Sequence, residues 1–132
     1  MSTIAVLGGG HGAHAVAADL ALAGFKVRLC EHPNFEATFK PTLDKGEVEI
    51  LGKARQGVAK LDKATTNFKE ALDGAEIIFL VVPSFGHSLF AESFAPYLHD
   101  GQLVVLMPGN AGSLEVAKLL KEKGVKKRIT IA

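Results

Sequence analysis

The chain has 132 residues, 48% of them hydrophobic, with eight Phe and no Trp; that suffices for one domain with a real core and excludes a disordered chain. Fifteen basic against fourteen acidic side chains leave a net charge of +1, so no bulk field draws the chain to nucleic acid or an anionic membrane. One cysteine, Cys30, excludes an internal disulfide and fits a reducing, cytoplasmic setting.

Thr3 to Leu7 (TIAVL) predicts a short buried strand that ends at a run of glycines. Ala13 to Ala23 predicts a helix with Val16, Leu20 and Ala23 on one face and Gly24 as its C-cap. Lys26 to Cys30 (KVRLC) predicts a second strand, and Pro33 to Lys45 a helix ended by Gly46. Glu47 to Leu51 and Val58 to Leu61 suggest a small hairpin around residues 52–57, before a short strand near Ala64 to Thr66. Asn67 with Glu70 has the spacing of a capping box for a short helix through Leu72, and Asp73-Gly74 marks a turn. Ile77 to Val82 (IIFLVV) is the strongest strand, stopped by Pro83. It is also the longest clean apolar run, far below the roughly 20 residues of a membrane helix. Gly86 to Leu98 predicts a helix with Leu89, Phe90 and Phe94 inward and a kink at Pro96. Leu103 to Met107 (LVVLM) is another buried strand, stopped by Pro108. Gly112 to Lys123 predicts a helix capped by Gly124, and Arg128 to Ala132 (RITIA) one more strand. The basic residues near the end (Lys121, Lys123, Lys126, Lys127, Arg128) read as a solvated helix end. The N-terminus has no basic stretch leading an apolar region, so no secretory signal is read.

Continuous apolar strands alternating with helices belong to a parallel sheet buried on both faces. The expected fold class is α/β, a doubly wound, mostly parallel sheet. Ligands of that architecture bind beyond the carboxyl ends of the strands, where strand order reverses. The loops of interest therefore follow Leu7, Cys30, Val82 and Met107.

The first of these loops reads Gly8-Gly9-Gly10-His11-Gly12-Ala13, a G-x-G-x-x-A dinucleotide fingerprint. Gly8 permits the tight strand-to-helix turn, Gly10 lets a pyrophosphate approach the backbone, and Ala13 lets the helix lie close to the sheet. The free N–H groups and positive dipole of the helix start meet the phosphates, with His11 and Gly12 inside the loop. The fingerprint gains meaning from an acid about 20 positions on, after the second strand, and Glu31 stands there. Its carboxylate suits the two adenosine ribose hydroxyls and repels a 2′-phosphate, favouring NAD over NADP. Arg28 and Lys40 are the cations that oppose this preference.

Val81-Val82-Pro83-Ser84 leaves the strongest strand beside the expected ribose and nicotinamide. There Val82 and Pro83 line the cleft through their backbone, and Ser84 lines it or caps the next helix. In Pro108-Gly109-Asn110-Ala111-Gly112, Asn110 bonds the nicotinamide carboxamide or caps a helix. Among the histidines, His14 reads as packing or support, His32 flanks the ribose site near adenine, His87 opens a helix near the cleft and His99 ends one. None has a partner at metal-ligand spacing, so no metal site is expected.

The runs GGGHGAHAVAADLALAG, IIFLVVPSFGH and GQLVVLMPGNAGSLEVAKLL together resemble the N-terminal NAD(P)-binding domain of the opine (octopine and nopaline) dehydrogenases. More distantly the chain is similar to glycerol-3-phosphate dehydrogenase and ketopantoate reductase. The resemblance implies a Rossmann-type fold and an enzyme that condenses an amino acid with a 2-oxo acid, reducing the imine with NAD(P)H. It also implies that the catalytic and substrate-binding residues lie in a helical C-terminal domain to which no position here corresponds. Residues 1–132 then read as the dinucleotide-binding domain, and nothing catalytic carries over. Three alternatives stand beside this reading: a free-standing nucleotide-binding or redox-sensing module, suggested by the length; the cofactor domain of a glycerol-3-phosphate dehydrogenase or ketopantoate reductase relative; and a methyltransferase-like domain, disfavoured by the Val-Val-Pro-Ser exit.

Overall fold

Strand β1 (Thr3–Leu7) sends alternate side chains into two cores: Ile4 and Val6 into one, Ala5 and Leu7 into the other. A strand covered on both faces needs apolar residues at every position, which is why the run does not alternate with polar ones. The computed structural model describes residues 2–50, 57–83, 86–107, 120–122, 124 and 130–131. Within them follow α1 (His11–Leu22), β2 (Lys26–Cys30), α2 (Glu36–Lys45), β3 (Glu47–Ile50), β4 (Gly57–Lys60) and β5 (Lys63–Thr65). Next come α3 (Phe68–Leu72), β6 (Ile77–Leu80), α4 (His87–Phe94), β7 (Leu103–Leu106) and β8 (Thr130–Ile131).

Six strands form one parallel sheet in the order β5-β2-β1-β6-β7-β8, while β3 and β4 pair antiparallel apart from it. The chain winds outward from β1 to β5, then returns to β6 on the other side of β1. Strand order therefore reverses between β1 and β6, which opens a crevice above their carboxyl ends. This is the doubly wound parallel sheet that the apolar runs predict.

Several details differ from the expectation, each for a physical reason. Helix α1 starts at His11, not Ala13, because the Gly10 carbonyl already accepts the His14 N–H at 3.0 Å. Its buried face is Ala13, Ala17 and Ala18, whereas Val16 and Leu20 are only half-buried and Ala23 is exposed. The helix packs against β2 on one side and the β3–β4 hairpin on the other, and only alanines allow so close an approach on both. Residues Pro33–Phe35 form a 3-10 turn before α2, and Gly46 ends α2 in the left-handed conformation. The capping box at Asn67 is half-formed. The Asn67 side chain accepts from the Lys69 and Glu70 N–H groups, but Glu70 accepts from the Thr65 hydroxyl instead of reaching back. Thr65 takes the reciprocal place, accepting the Asn67 N–H at 2.9 Å.

Strand β6 ends at Leu80 rather than Val82 and β7 at Leu106 rather than Met107, although Val81 and Met107 each still donate to the neighbouring strand. Pro96 removes an N–H, and α4 gives way at Ala95–Tyr97 to a 3-10 turn. Of the expected helix 112–123, residues 120–122 are described and helical, with Leu120 buried. Of the expected last strand, Thr130 and Ile131 pair with β7.

Candidate cofactor site

The glycine turn is built against the ends of two neighbouring strands. Gly8 donates its N–H to the Cys30 carbonyl at 2.8 Å and holds φ at +133°. A Cβ there would lie 2.4 Å from the Val81 carbonyl oxygen, so β1 leaves the sheet where only glycine fits. Ala13, 1% exposed, packs in the core just under this turn. Gly10 is the N-cap of α1, and a Cβ on it meets no atom within 4 Å. His11 and Gly12 are exposed beside it. The loop thus presents the unpaired N–H groups of a 12-residue helix, with the positive end of its dipole, to an open crevice.

Glu31 follows β2 directly and is 7% exposed. One carboxylate oxygen, Oε1, accepts the His32 N–H at 2.8 Å. The other lies against Gly9, where a Cβ would come within 2.0 Å of Oε2. Gly9 occupies a free position of the fingerprint, so its role was missed from the sequence; the three consecutive glycines were the available signal. Burial raises the Glu31 pKa, against the smaller lowering influences of the His32 N–H and the nearby His14. A raised folded pKa means the native state holds its proton where the unfolded chain has lost it, so stability falls as pH rises through that window. Glu31→Gln is therefore expected to gain thermal stability on the native chain as pH rises from the ordinary carboxylate value, then level off. Parallel melts at several pH values check this; a gap that does not change with pH overturns it.

The wall beyond Glu31 is aromatic. The His32 ring meets Phe35, Phe68 and Phe90 edge-on, with centroids 6.2, 6.0 and 5.9 Å away. Its Nδ1 accepts the Asn34 N–H at 3.1 Å, and burial holds its pKa below the ordinary histidine value. Phe35, 47% exposed, turns an open ring toward the crevice; nothing in the local sequence marks it. Gly9, Gly10, Glu31, Phe35, Val82 and Pro83 all line one cavity of about 280 Å³. The structure thus brings the glycine loop, the acid and the Val82-Pro83 exit to one place. Ser84 and Asn110 lie outside the described residues.

The remaining histidines divide. His14 bridges α1 to α2, with Nδ1 2.9 Å from the Gly10 carbonyl and Nε2 2.8 Å from the Thr42 hydroxyl. His87 is 1% exposed, and among the described residues neither ring nitrogen has a hydrogen-bond partner. Cys30 is buried, and burial together with the neighbouring Glu31 and Glu70 carboxylates pushes its thiol far above the usual range, leaving it protonated. Among the described residues no group of three His, Cys, Asp or Glu is placed to hold a metal ion. No helix there is long and apolar enough to cross a membrane.

A parallel sheet that reverses order beside a glycine turn, with a helix start on one side and an acid closing the next strand, defines a Rossmann-type dinucleotide-binding domain. The chain belongs to the family described as the NAD-dependent glycerol-3-phosphate dehydrogenase N-terminus, whose profile matches residues 3–130. It is 38% identical over 123 residues to an opine dehydrogenase of Arthrobacter sp. (strain 1C), covering 92% of this chain and 34% of that protein. Its fold matches an octopine dehydrogenase in complex with NADH and agmatine at a TM-score of 0.81 and 24% identity, over 99% of this chain and 34% of that one. It also matches an NADP+-bound yersinopine dehydrogenase at a TM-score of 0.70 and 18% identity, over 98% of this chain and 34% of that one. The chain thus spans about a third of the length of these relatives. It is an NAD(P)-binding domain like that of the opine dehydrogenases, as the resemblance implies, and its cofactor is a nicotinamide dinucleotide.

Proposed function

We propose that the chain binds NAD(H) in preference to NADP(H), as the cofactor half of an opine-dehydrogenase-like oxidoreductase working in the cytoplasm. The observation that carries the cofactor choice is the buried Glu31 carboxylate, lodged against Gly9 at the end of β2. A carboxylate there accepts two ribose hydroxyls, while a 2′-phosphate would set negative charge against it. Of the two cations that would offset that repulsion, Arg28 is held elsewhere and Lys40 makes one exposed contact. Arg28 donates through Nε to Asp62 at 2.9 Å and through Nη1 to the carbonyls of Glu70 and Asp73. Lys40 is exposed and lies 3.8 Å from Asp44.

In this reading Gly8, Gly10, His11 and Gly12 hold the pyrophosphate through the loop backbone, and Ala13 sets the helix close to the sheet. Val82 and Pro83, with Ser84 and Asn110, border the nicotinamide. The similarity to an opine dehydrogenase supports the reaction class. In a reaction of that class an amino acid and a 2-oxo acid would condense to an imine with loss of water, and bound NADH would supply the hydride that, with one proton, reduces the imine to a secondary amine. The groups that bind and activate those two substrates are proposed to belong to a helical domain beyond this one.

Calorimetric titration tests the proposal. NADH is expected to bind at least about tenfold more tightly than NADPH. Glu31→Ala is expected to lose about 1–2 kcal/mol of NADH affinity through the missing charge-assisted bonds and to narrow the preference. A folded sample that ignores millimolar NADH sinks the proposal. An unchanged affinity in Glu31→Ala sinks the ribose assignment.

A further inference from the structure

We infer that His14 is a positioning residue for the dinucleotide's phosphates: its imidazole fixes the plane of the Gly10–His11 peptide and ties that peptide to α2. The inference rests on the dinucleotide-binding reading above. The Gly10 carbonyl receives two donors from one residue, the His14 backbone N–H at 3.0 Å and its Nδ1 at 2.9 Å. A carbonyl only accepts, so Nδ1 carries the proton. In the neutral ring Nε2 is then an acceptor, and the Thr42 hydroxyl at 2.8 Å donates to it. Both ring nitrogens are used, and the tautomer follows from the partners. Phe39, 1% exposed, meets the ring edge-on at 5.8 Å and limits its rotation.

Peptide planarity turns this clamp into a functional one. The Gly10 oxygen and the His11 N–H belong to the same trans peptide, so they point in opposite directions. The His11 N–H is at the first helical position and has no partner within the helix. Holding the oxygen down toward the helix therefore aims this N–H away from the helix body, and a Cβ on Gly10 itself meets nothing within 4 Å. Thr42 lies on α2, which follows Glu31 and the His32 turn. The His14–Thr42 bond thus joins the phosphate end of the site to the segment that leaves its ribose end. His14 itself need not touch the cofactor.

A mere packing role and a positioning role separate in the choice of substitution. The amide nitrogen of an Asn at position 14 takes the place of Nδ1 and keeps the bond to the Gly10 carbonyl. A Gln reaches the Nε2 place and keeps only Thr42. NADH titration of the native chain, His14→Asn, His14→Gln and Thr42→Val, each with a melting curve, reads the difference. His14→Asn and Thr42→Val, which lose only the tie to α2, are expected to weaken NADH by up to about threefold, and His14→Gln, which loses the bond to the Gly10 carbonyl, by about tenfold, whatever the order of their melting temperatures. A native chain that binds while His14→Gln binds equally well overturns the positioning role alone. A native chain that binds no NADH overturns the cofactor reading, and the positioning role with it. Nitrogen-15 spectra of the native imidazole add a check that needs no variant: the Nδ1-protonated tautomer is expected, and the Nε2-protonated one overturns the inference.

Discussion

Gly8→Ala is expected to destabilise the fold by roughly 3 kcal/mol, the largest loss from adding a single methyl group in the loop. Two effects coincide there. The backbone sits at φ +133°, where a side chain costs of order 1–3 kcal/mol in strain. The new Cβ would also stand 2.4 Å from the Val81 carbonyl oxygen, and overpacking of this kind costs about 1–3 kcal/mol more. Neither side yields cheaply. Val81 donates its N–H to Leu7 at 2.9 Å, and Gly8 donates to Cys30 at 2.8 Å, so relief means parting β1 from β6 or from β2. Urea denaturation checks the expectation: the midpoint should fall with the slope unchanged. A loss below about 1 kcal/mol overturns it.

The contrast among the neighbouring glycines shows what a sequence discloses and what it withholds. The fingerprint, the strand before it and the acid after β2 are local patterns with a local cause, and the places of Gly8, Gly10 and Glu31 at the strand ends were legible from them. The parallel sheet was legible too, because strands buried on both faces must be apolar throughout, as Ile77–Leu80 and Leu103–Leu106 are. The contacts that refine the site join residues far apart in the chain, and no spacing announces them. Gly9 matters because the Glu31 side chain folds back onto it. His14 matters because Thr42 lies across from it. Arg28 looked available to a 2′-phosphate until Asp62 and two carbonyls were seen to hold it. The buried face of α1 was read only in part for the same reason: Val16 and Leu20 do pack against the core, but at its margin. Periodicity favoured the larger side chains, Val16 and Leu20, but a helix pressed between a sheet and a hairpin buries its smallest ones.

Gly10→Asp is expected to move stability and binding in opposite directions. The native α1 has no side-chain cap and no acidic residue in its first turn, although both are common ways to satisfy a helix start. Gly10 already has the extended conformation of an N-cap, with φ −81° and ψ −177°, and its Cβ position is empty to 4 Å. An Asp there adopts an ordinary backbone, accepts from the free N–H groups and complements the helix dipole, so the unliganded domain should melt no lower than native and somewhat higher. Under the proposed function the same carboxylate occupies the place assigned to the pyrophosphate and adds negative charge against it. Losing charge-assisted bonds worth about 1.5–3 kcal/mol each should weaken NADH by at least about a hundredfold. On the proposed reading the uncapped start of α1 gives up a little stability and leaves its N–H groups to the cofactor's phosphates. Thermal melts with and without NADH, together with titration, decide the matter. A variant that melts clearly lower, or that binds NADH within about tenfold of native, would show that Gly10 serves the turn as Gly8 does and not the ligand.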